Sequence, residues 1–209
     1  MDDALRDRLA IVEVVNNWVL WSDSGDWERF ATVWHDDAWM TATWFQGPAI
    51  EFQKARRAGF ERGVSIIHFL GGTTVELRRD RAIAQSKMTI NQRAAVDGVL
   101  VDVVCVGRFY DFFERRAGRW AIVRRQPIYE KDRLDALEPG RGLTLDAALL
   151  ARFPEGTVTW GICRRKRGST SGSASRGSAV PRSRSSTPKA RRGSTARRSR
   201  ACRSERERL

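Results

Sequence analysis

Apolar residues recur at Leu5, Leu9, Val12, Val15 and Val19, with a second set at Ile11, Val14, Trp18 and Trp21. Two such stripes at helical spacing predict one long helix with a broad buried face. It should stop at "SDSGD", residues 22–26, where Ser, Asp and Gly favour a turn and Asp26 can cap a second helix. The second helix is expected over "WERFATVWHDDA", residues 27–38, with Trp27, Phe30, Val33 and Trp34 inward. After the short apolar stretch "AWMTATWF", Gly47-Pro48 announces a third helix through "AIEFQKARRAGFERG", with the proline pre-set for its first turn.

From Val64 the period changes. "VSIIHFLGGTTVELRR", "RAIAQSKMTINQRA", "GVLVDVVCVGRFYDFFERR" and "RWAIVRRQPIYEK" are rich in β-branched and aromatic residues. Turn formers separate them at "RRDR", Asp97-Gly98 and Ala117-Gly118, which predicts four consecutive strands in an antiparallel meander. A short helix, "LDAALLARF", closes the pattern. Helices first and strands last give an α+β layout: N-terminal helices packed in one strongly curved, mostly antiparallel sheet. A sheet curved in this way forms a cone whose concave mouth suits a small ligand.

Charge divides the chain. The formal net charge is +13, yet 16 of the 38 Lys and Arg residues follow Cys163, with only Glu205 and Glu207 as acids; 22 basic and 23 acidic residues remain before that point, a net of −1. The folded part, taken as residues 1–156, is therefore close to neutral. Residues 157–209 are dominated by Arg, Ser, Gly, Ala and Thr, too poor in large apolar side chains to offset an ordering entropy of about 1–2 kcal/mol per residue, and are read as a disordered basic tail. Such a tail would bind nucleic acid only non-specifically.

Cys105, Cys163 and Cys202 have no paired spacing, which argues against a disulfide framework or zinc site and fits a reducing compartment. The N-terminus is charged at once, and no apolar run approaches the roughly 20 residues of a membrane span. A cytoplasmic protein with no membrane contact is expected.

Three ionisable residues stand beside apolar sequence: Asp23 at the end of the first helix, His68 in the first long strand and Arg125 in the last. Each has an ordinary explanation, respectively a loop Asx turn, a hydrogen-bonded core histidine and half of a structural ion pair. Together they match the needs of proton abstraction from carbon. A carboxylate orients the imidazole and makes it a better base, and a guanidinium stabilises the developing negative charge. Arg124, adjacent to Arg125, should point the opposite way. The other histidine, His35 in "VWHDDA", has the wrong spacing for a metal site, and neither a metal nor a cofactor is expected. Trp44, Phe69, Met88 and Tyr129 are candidate pocket-lining residues, and Tyr110 is a candidate extra donor.

The segments "DSGDWERFATVWHDDAWMTAT", "IIHFLGGTTVEL", "GRFYDFFERRAGRWAIVRRQPIYEKDRLD" and "FPEG" resemble the SnoaL-like branch of the nuclear transport factor 2-like superfamily, over about residues 4–156. That family includes scytalone dehydratase, hexachlorocyclohexane dehydrochlorinase, ketosteroid isomerase, polyketide cyclases and the small subunits of ring-hydroxylating dioxygenases. The resemblance implies an α+β cone with a deep pocket, and puts Asp23 and His68 at the positions of the dehydratase and dehydrochlorinase Asp–His pair. Arg125 after Trp120 matches an Arg of the dehydrochlorinase. "WVLWSD" lacks the Lys which that enzyme places just before its Asp, so the Asp–His chemistry carries over and dehydrochlorination itself does not.

The resemblance thus implies a cofactor-independent dehydratase, isomerase or cyclase acting on a small apolar cyclic substrate, in a homodimer or homotrimer. The alternative is a non-catalytic ligand-binding protein or a structural subunit of the dioxygenase type. It also bears on the tail. Relatives continue after "FPEG" with a segment like "YRHLxYL", and "TVTWGIC" is what a one-base deletion after Gly156 would produce from such a segment. In that case the +13 charge has no functional meaning, and resequencing the gene at that codon decides it.

Overall fold

The computed structural model describes residues 2–138 and, beyond them, 140, 142–145, 147–151, 157 and 159. The expected tail over 157–209 lies, apart from Thr157 and Thr159, outside the described residues.

The first helix, α1, spans Asp3–Ser24. Its side-chain N-cap is Asp2, and Gly25 ends it in the left-handed region at φ 77°, donating its N–H to the Trp21 carbonyl. The buried stripe is Ile11, Val15, Trp18, Val19 and Ser22, while Leu5 and Leu9 stay exposed. Asp26 caps the next helix as expected, its carboxylate accepting from the Arg29 N–H at 3.2 Å.

That helix, α2, covers only Trp27–Thr32, and the expectation that it runs to residue 38 is corrected. From Trp34 to Thr41 the chain is a strand, β1. The cause is tertiary: Ile122 donates its N–H to the Val33 carbonyl at 2.9 Å, and β1 then runs parallel to the last strand with Met40 opposite Arg125. Short β2, Gln46–Pro48, pairs back onto β1, and α3 spans Ala49–Glu61, with Pro48 as its N-cap.

The four-strand meander is present as β3 (Ile66–Arg78), β4 (Arg81–Val96), β5 (Val99–Arg116) and β6 (Arg119–Ala136). Asp97-Gly98 and Ala117-Gly118 both have positive φ at the two turn positions, the conformation that two-residue hairpins need. The sheet order is β2-β1-β6-β5-β4-β3, antiparallel except between β1 and β6. Of the expected closing helix, Ala147–Leu150 is described as α4.

The inner face of the sheet wraps α1, which packs against β3, β4 and β6, while α3 packs on β1. Trp18 lies at the centre of the core, with ring centroids of Phe30, Phe109 and His68 at 5.4, 5.3 and 5.3 Å. Two irregularities matter for what faces inward. Phe113 pairs with Ile122 but Phe112 with Arg124, so Val123 is an extra residue and the bulge turns Arg125, rather than Arg124, into the core. A second shift follows at Gly107, where an added Cβ would lie 2.1 Å from the Ile128 carbonyl oxygen, so the strands can approach there only with glycine.

Candidate functional site

The site is assembled from the C-terminal end of α1, the middle of α3 and the inner face of β3, β5 and β6. On β3, alternation exposes Ile67 and Phe69 and turns Ile66 and His68 toward α1. The closing turn of α1 brings Asp23 to meet His68. Asp23 Oδ1 lies 2.7 Å from His68 Nδ1, and its Oδ2 accepts the backbone N–H of His68 at 2.6 Å. One carboxylate therefore fixes both the strand and the ring. With Nδ1 as the donor, the lone pair is on Nε2, which has no hydrogen-bond partner among the described residues.

A third group joins them. Arg56, one helical turn after buried Phe52, is 5% exposed and donates from Nη2 to Asp23 Oδ1 at 3.3 Å. Arg56 is not named from the sequence, where it sits in the charged segment "KARRAG". The usable signal was phase: Ala49, Phe52 and Arg56 repeat at helical spacing, and all three are buried.

Burial pushes the His68 pKa down from its ordinary 6.5, with the charges of Arg56 and Arg125 acting in the same direction; the hydrogen bond and charge of Asp23 oppose this without cancelling it. His68 is therefore neutral at pH 7, the form a general base needs. Burial likewise lowers Arg56, and Asp23 raises it.

Arg125 lies elsewhere. It is fully buried and binds Asp111 twice, from Nε at 2.7 Å and Nη2 at 2.6 Å. Its guanidinium carbon sits 4.2 Å from the Trp18 ring centroid and 4.0 Å from that of Phe109. The same two rings also contact His68, while the hydrogen bonds of Arg125 go to Asp111.

The cavity beside His68 is lined by Trp18, Trp44, Phe52, Arg56, Phe109 and Tyr129, among others, and encloses about 30 Å³. That is room for one or two waters, against several hundred Å³ for a filled ligand pocket. A substrate must displace side chains to enter.

Of the expected lining residues, Trp44 and Tyr129 are present. Three are corrected. Phe69 is 75% exposed on the outer face of β3, Tyr110 packs against Phe112 on the outer face of β5, and Met88 is buried in the core and absent from the cavity lining. In the first two cases strand parity decides, since Ile66 and Phe109 face inward and their odd-step neighbours cannot. Arg125 is also absent from the lining.

His35 is engaged in structure, its Nε2 2.9 Å from the Glu114 carbonyl oxygen and its Nδ1 3.4 Å from Arg119. Among the described residues no group of three or more His, Cys, Asp or Glu could hold a metal, and no described helix is long and apolar enough to cross a membrane.

Residues 3–126 match the SnoaL-like domain family. A PEP2-like protein of Fusarium vanettenii is 33% identical over 158 residues, which cover 74% of this chain and 68% of that protein. Among solved structures, hexachlorocyclohexane dehydrochlorinase from Novosphingobium barchaimii LL02 is similar with a TM-score of 0.55 at 20% identity, over 69% of this chain and 98% of that one. A protein assigned as a scytalone dehydratase from Novosphingobium aromaticivorans DSM 12444 gives 0.54 at 17%, over 67% and 97%. At these identities the two structures speak for the fold.

Proposed function

Because this chain belongs to the SnoaL-like domain family, we propose that its pocket carries out proton transfer from carbon, with His68 as general base and Asp23 as the carboxylate that orients it. The observation that carries this reading is the 2.7 Å contact between His68 Nδ1 and Asp23 Oδ1 in a histidine that lines the cavity. It leaves Nε2 as the accepting atom.

In the first step Nε2 takes a proton from a carbon next to a carbonyl group, and the C–H electron pair moves into the enolate. The imidazolium so formed is stabilised by Asp23, which can accept from Nδ1–H but is not needed as a proton acceptor. In an elimination the enolate expels hydroxide, protonated by the imidazolium as it leaves, and water departs. Returning the proton to a different carbon instead gives isomerisation. Attack of the enolate on a second carbonyl gives cyclisation. Elimination of water from a small, apolar, cyclic substrate is the reaction favoured here, in keeping with the fold likeness to the dehydratase and dehydrochlorinase. The aromatic lining suits a flat apolar ring. The reading calls on side chains alone.

Arg125 contributes through its charge. Lying over the rings of Trp18 and Phe109, it helps to hold His68 neutral. Its bonds to Asp111 keep it from reaching a substrate, so in this reading it is a positioning residue rather than a catalytic one.

The test is solvent exchange. A panel of cyclic β-hydroxy ketones is incubated with the protein in D2O and followed by NMR for deuterium uptake at the α-carbon and for loss of water. Wild-type protein should exchange or dehydrate at least one member, and His68→Gln should not. Saturable binding of panel members without any exchange would mean a carrier pocket instead.

A further inference from the structure

We propose that Arg56 is the substrate-facing cation of this pocket, and that it selects neutral enolisable carbonyl compounds by binding the carbonyl oxygen that becomes the enolate. The inference rests on the reading of His68 as the base and extends it to the substrate class.

Three observations carry it. First, Arg56 lines the cavity, whereas Arg125 does not. Second, Arg56 is 95% buried by the exposure given above, yet a single 3.3 Å bond from Nη2 to Asp23 is its one hydrogen bond to the described residues. A guanidinium has five N–H donors, and a buried one left with most of them unused is a site waiting for an oxygen. Arg125 differs, with two short bonds to its own carboxylate, and its remaining nitrogen Nη1 is sealed from solvent. Third, Arg56 and His68 touch the same oxygen, Asp23 Oδ1, so the cation and the base are held on one side of one carboxylate.

Charge balance then chooses the ligand. With His68 neutral, Asp23 and Arg56 sum to zero. A neutral carbonyl compound leaves that sum unchanged on binding. When its α-proton moves to Nε2, the new imidazolium faces Asp23, the new enolate oxygen faces Arg56, and the total is still zero. A carboxylate substrate would instead place an unbalanced charge in an aromatic cavity, which is costly. Arg56 therefore acts most strongly where negative charge develops, as a preorganised donor should.

The experiment uses 4-nitrophenol as a probe, a flat neutral ring whose ionised oxygen imitates an enolate and whose phenolate is visible by its absorption. It is titrated into the full chain at a pH where the free probe is protonated. Wild-type protein should bind it as the phenolate, with its proton passed to His68, and the visible band should appear on binding. Arg56→Met should bind the neutral phenol without the band and at least about tenfold more weakly, the scale of one charge-assisted hydrogen bond. Arg56→Lys, checked for native circular dichroism, should recover part of the band because charge is kept while the fork is lost.

The inference is overturned if Arg56→Met keeps the band, or if wild-type protein binds only the neutral phenol or none. Failure of the base reading looks different. His68→Gln should lose ionisation at low pH yet still prefer phenolate when the solution is made alkaline. If His68→Gln instead ionises the probe as wild type does, the base is another group and the role of Arg56 stands.

Discussion

Asp111 and Arg125 are fully buried and bind each other twice, whereas Asp23 divides two oxygens among the imidazole and backbone of His68 and the guanidinium of Arg56. Both groups pair acid with base, and both touch Trp18 on one side. They differ in what is left over. In the inner pair both carboxylate oxygens and two guanidinium nitrogens are spent, and the rings of Trp18 and Phe109 cover the rest. In the outer group His68 Nε2 and most of the Arg56 donors are free of protein partners among the described residues, next to a cavity. A buried charge pair whose leftover donor, Arg125 Nη1, is sealed from solvent has nothing to offer a ligand, while one whose leftover donors lie beside a cavity does. A residue's charge and burial therefore do not mark it as functional; unspent bonding capacity that opens on a cavity does.

The sharpest way to break this contrast is to remove one half of the inner pair. Asp111→Ala leaves Arg125 buried and uncompensated, which should cost about 3–5 kcal/mol, a large part of the roughly 5–15 kcal/mol that holds a domain together. Replacing both, Asp111→Leu with Arg125→Met, should recover most of that loss. Denaturant melts of the two variants decide it, and an equal loss in both would show that Arg125 does more than balance Asp111.

The corresponding cut in the outer group should spare the fold and remove the activity. His68→Gln keeps a donor for Asp23, so its melt should stay near wild type, while kcat/KM on any substrate found by solvent exchange should fall by about 10²–10⁴-fold, the usual worth of a positioned base. A large loss of stability with little change in rate would reverse the roles assigned to the two groups.

How much of this was legible beforehand follows from which interactions are local. The meander was readable because period-two alternation and the Asp97-Gly98 and Ala117-Gly118 turns are encoded within a few residues. The end of α1 was readable from Gly25. The switch from α2 to β1 was not, since Phe30, Val33 and Trp34 suit a helix equally well and the pairing that overrides it comes from β6, far along the chain. Asp23 and His68 stood out as ionisable residues beside apolar sequence, but nothing in their spacing shows the contact between them, which only the resemblance implied. Arg125 was seen and Asp111 missed, although Phe109, Asp111 and Phe113 share one strand face and the inward turn of Arg125 depends on the extra residue at Val123. Arg56 was missed for want of following the helix phase past two adjacent arginines.

Asp23→Asn separates orientation from basicity at intermediate cost. The amide can hold the ring but cannot balance an imidazolium or Arg56, so kcat/KM should drop by at least about tenfold. Loss of a group that raises the His68 pKa must also move that pKa lower still. Imidazole NMR reads this directly, and an unchanged titration would show that the short contact does not couple the two groups.

The smallest expected effect is the pH dependence of stability that His68 adds to the outer group. Burial keeps His68 below its ordinary 6.5, so below that pH the unfolded chain takes up a proton that the folded chain refuses. Stability from this group is complete above 6.5 and declines as pH falls beneath it, by at most about 1.4 kcal/mol per pH unit for one proton. Melting temperatures between pH 7.5 and 5, compared for wild type and His68→Gln, isolate this contribution: the variant should flatten the decline just below 6.5. A decline below 6.5 that survives in His68→Gln would assign it to another group, and with it would go the claim that His68 is held neutral by its burial.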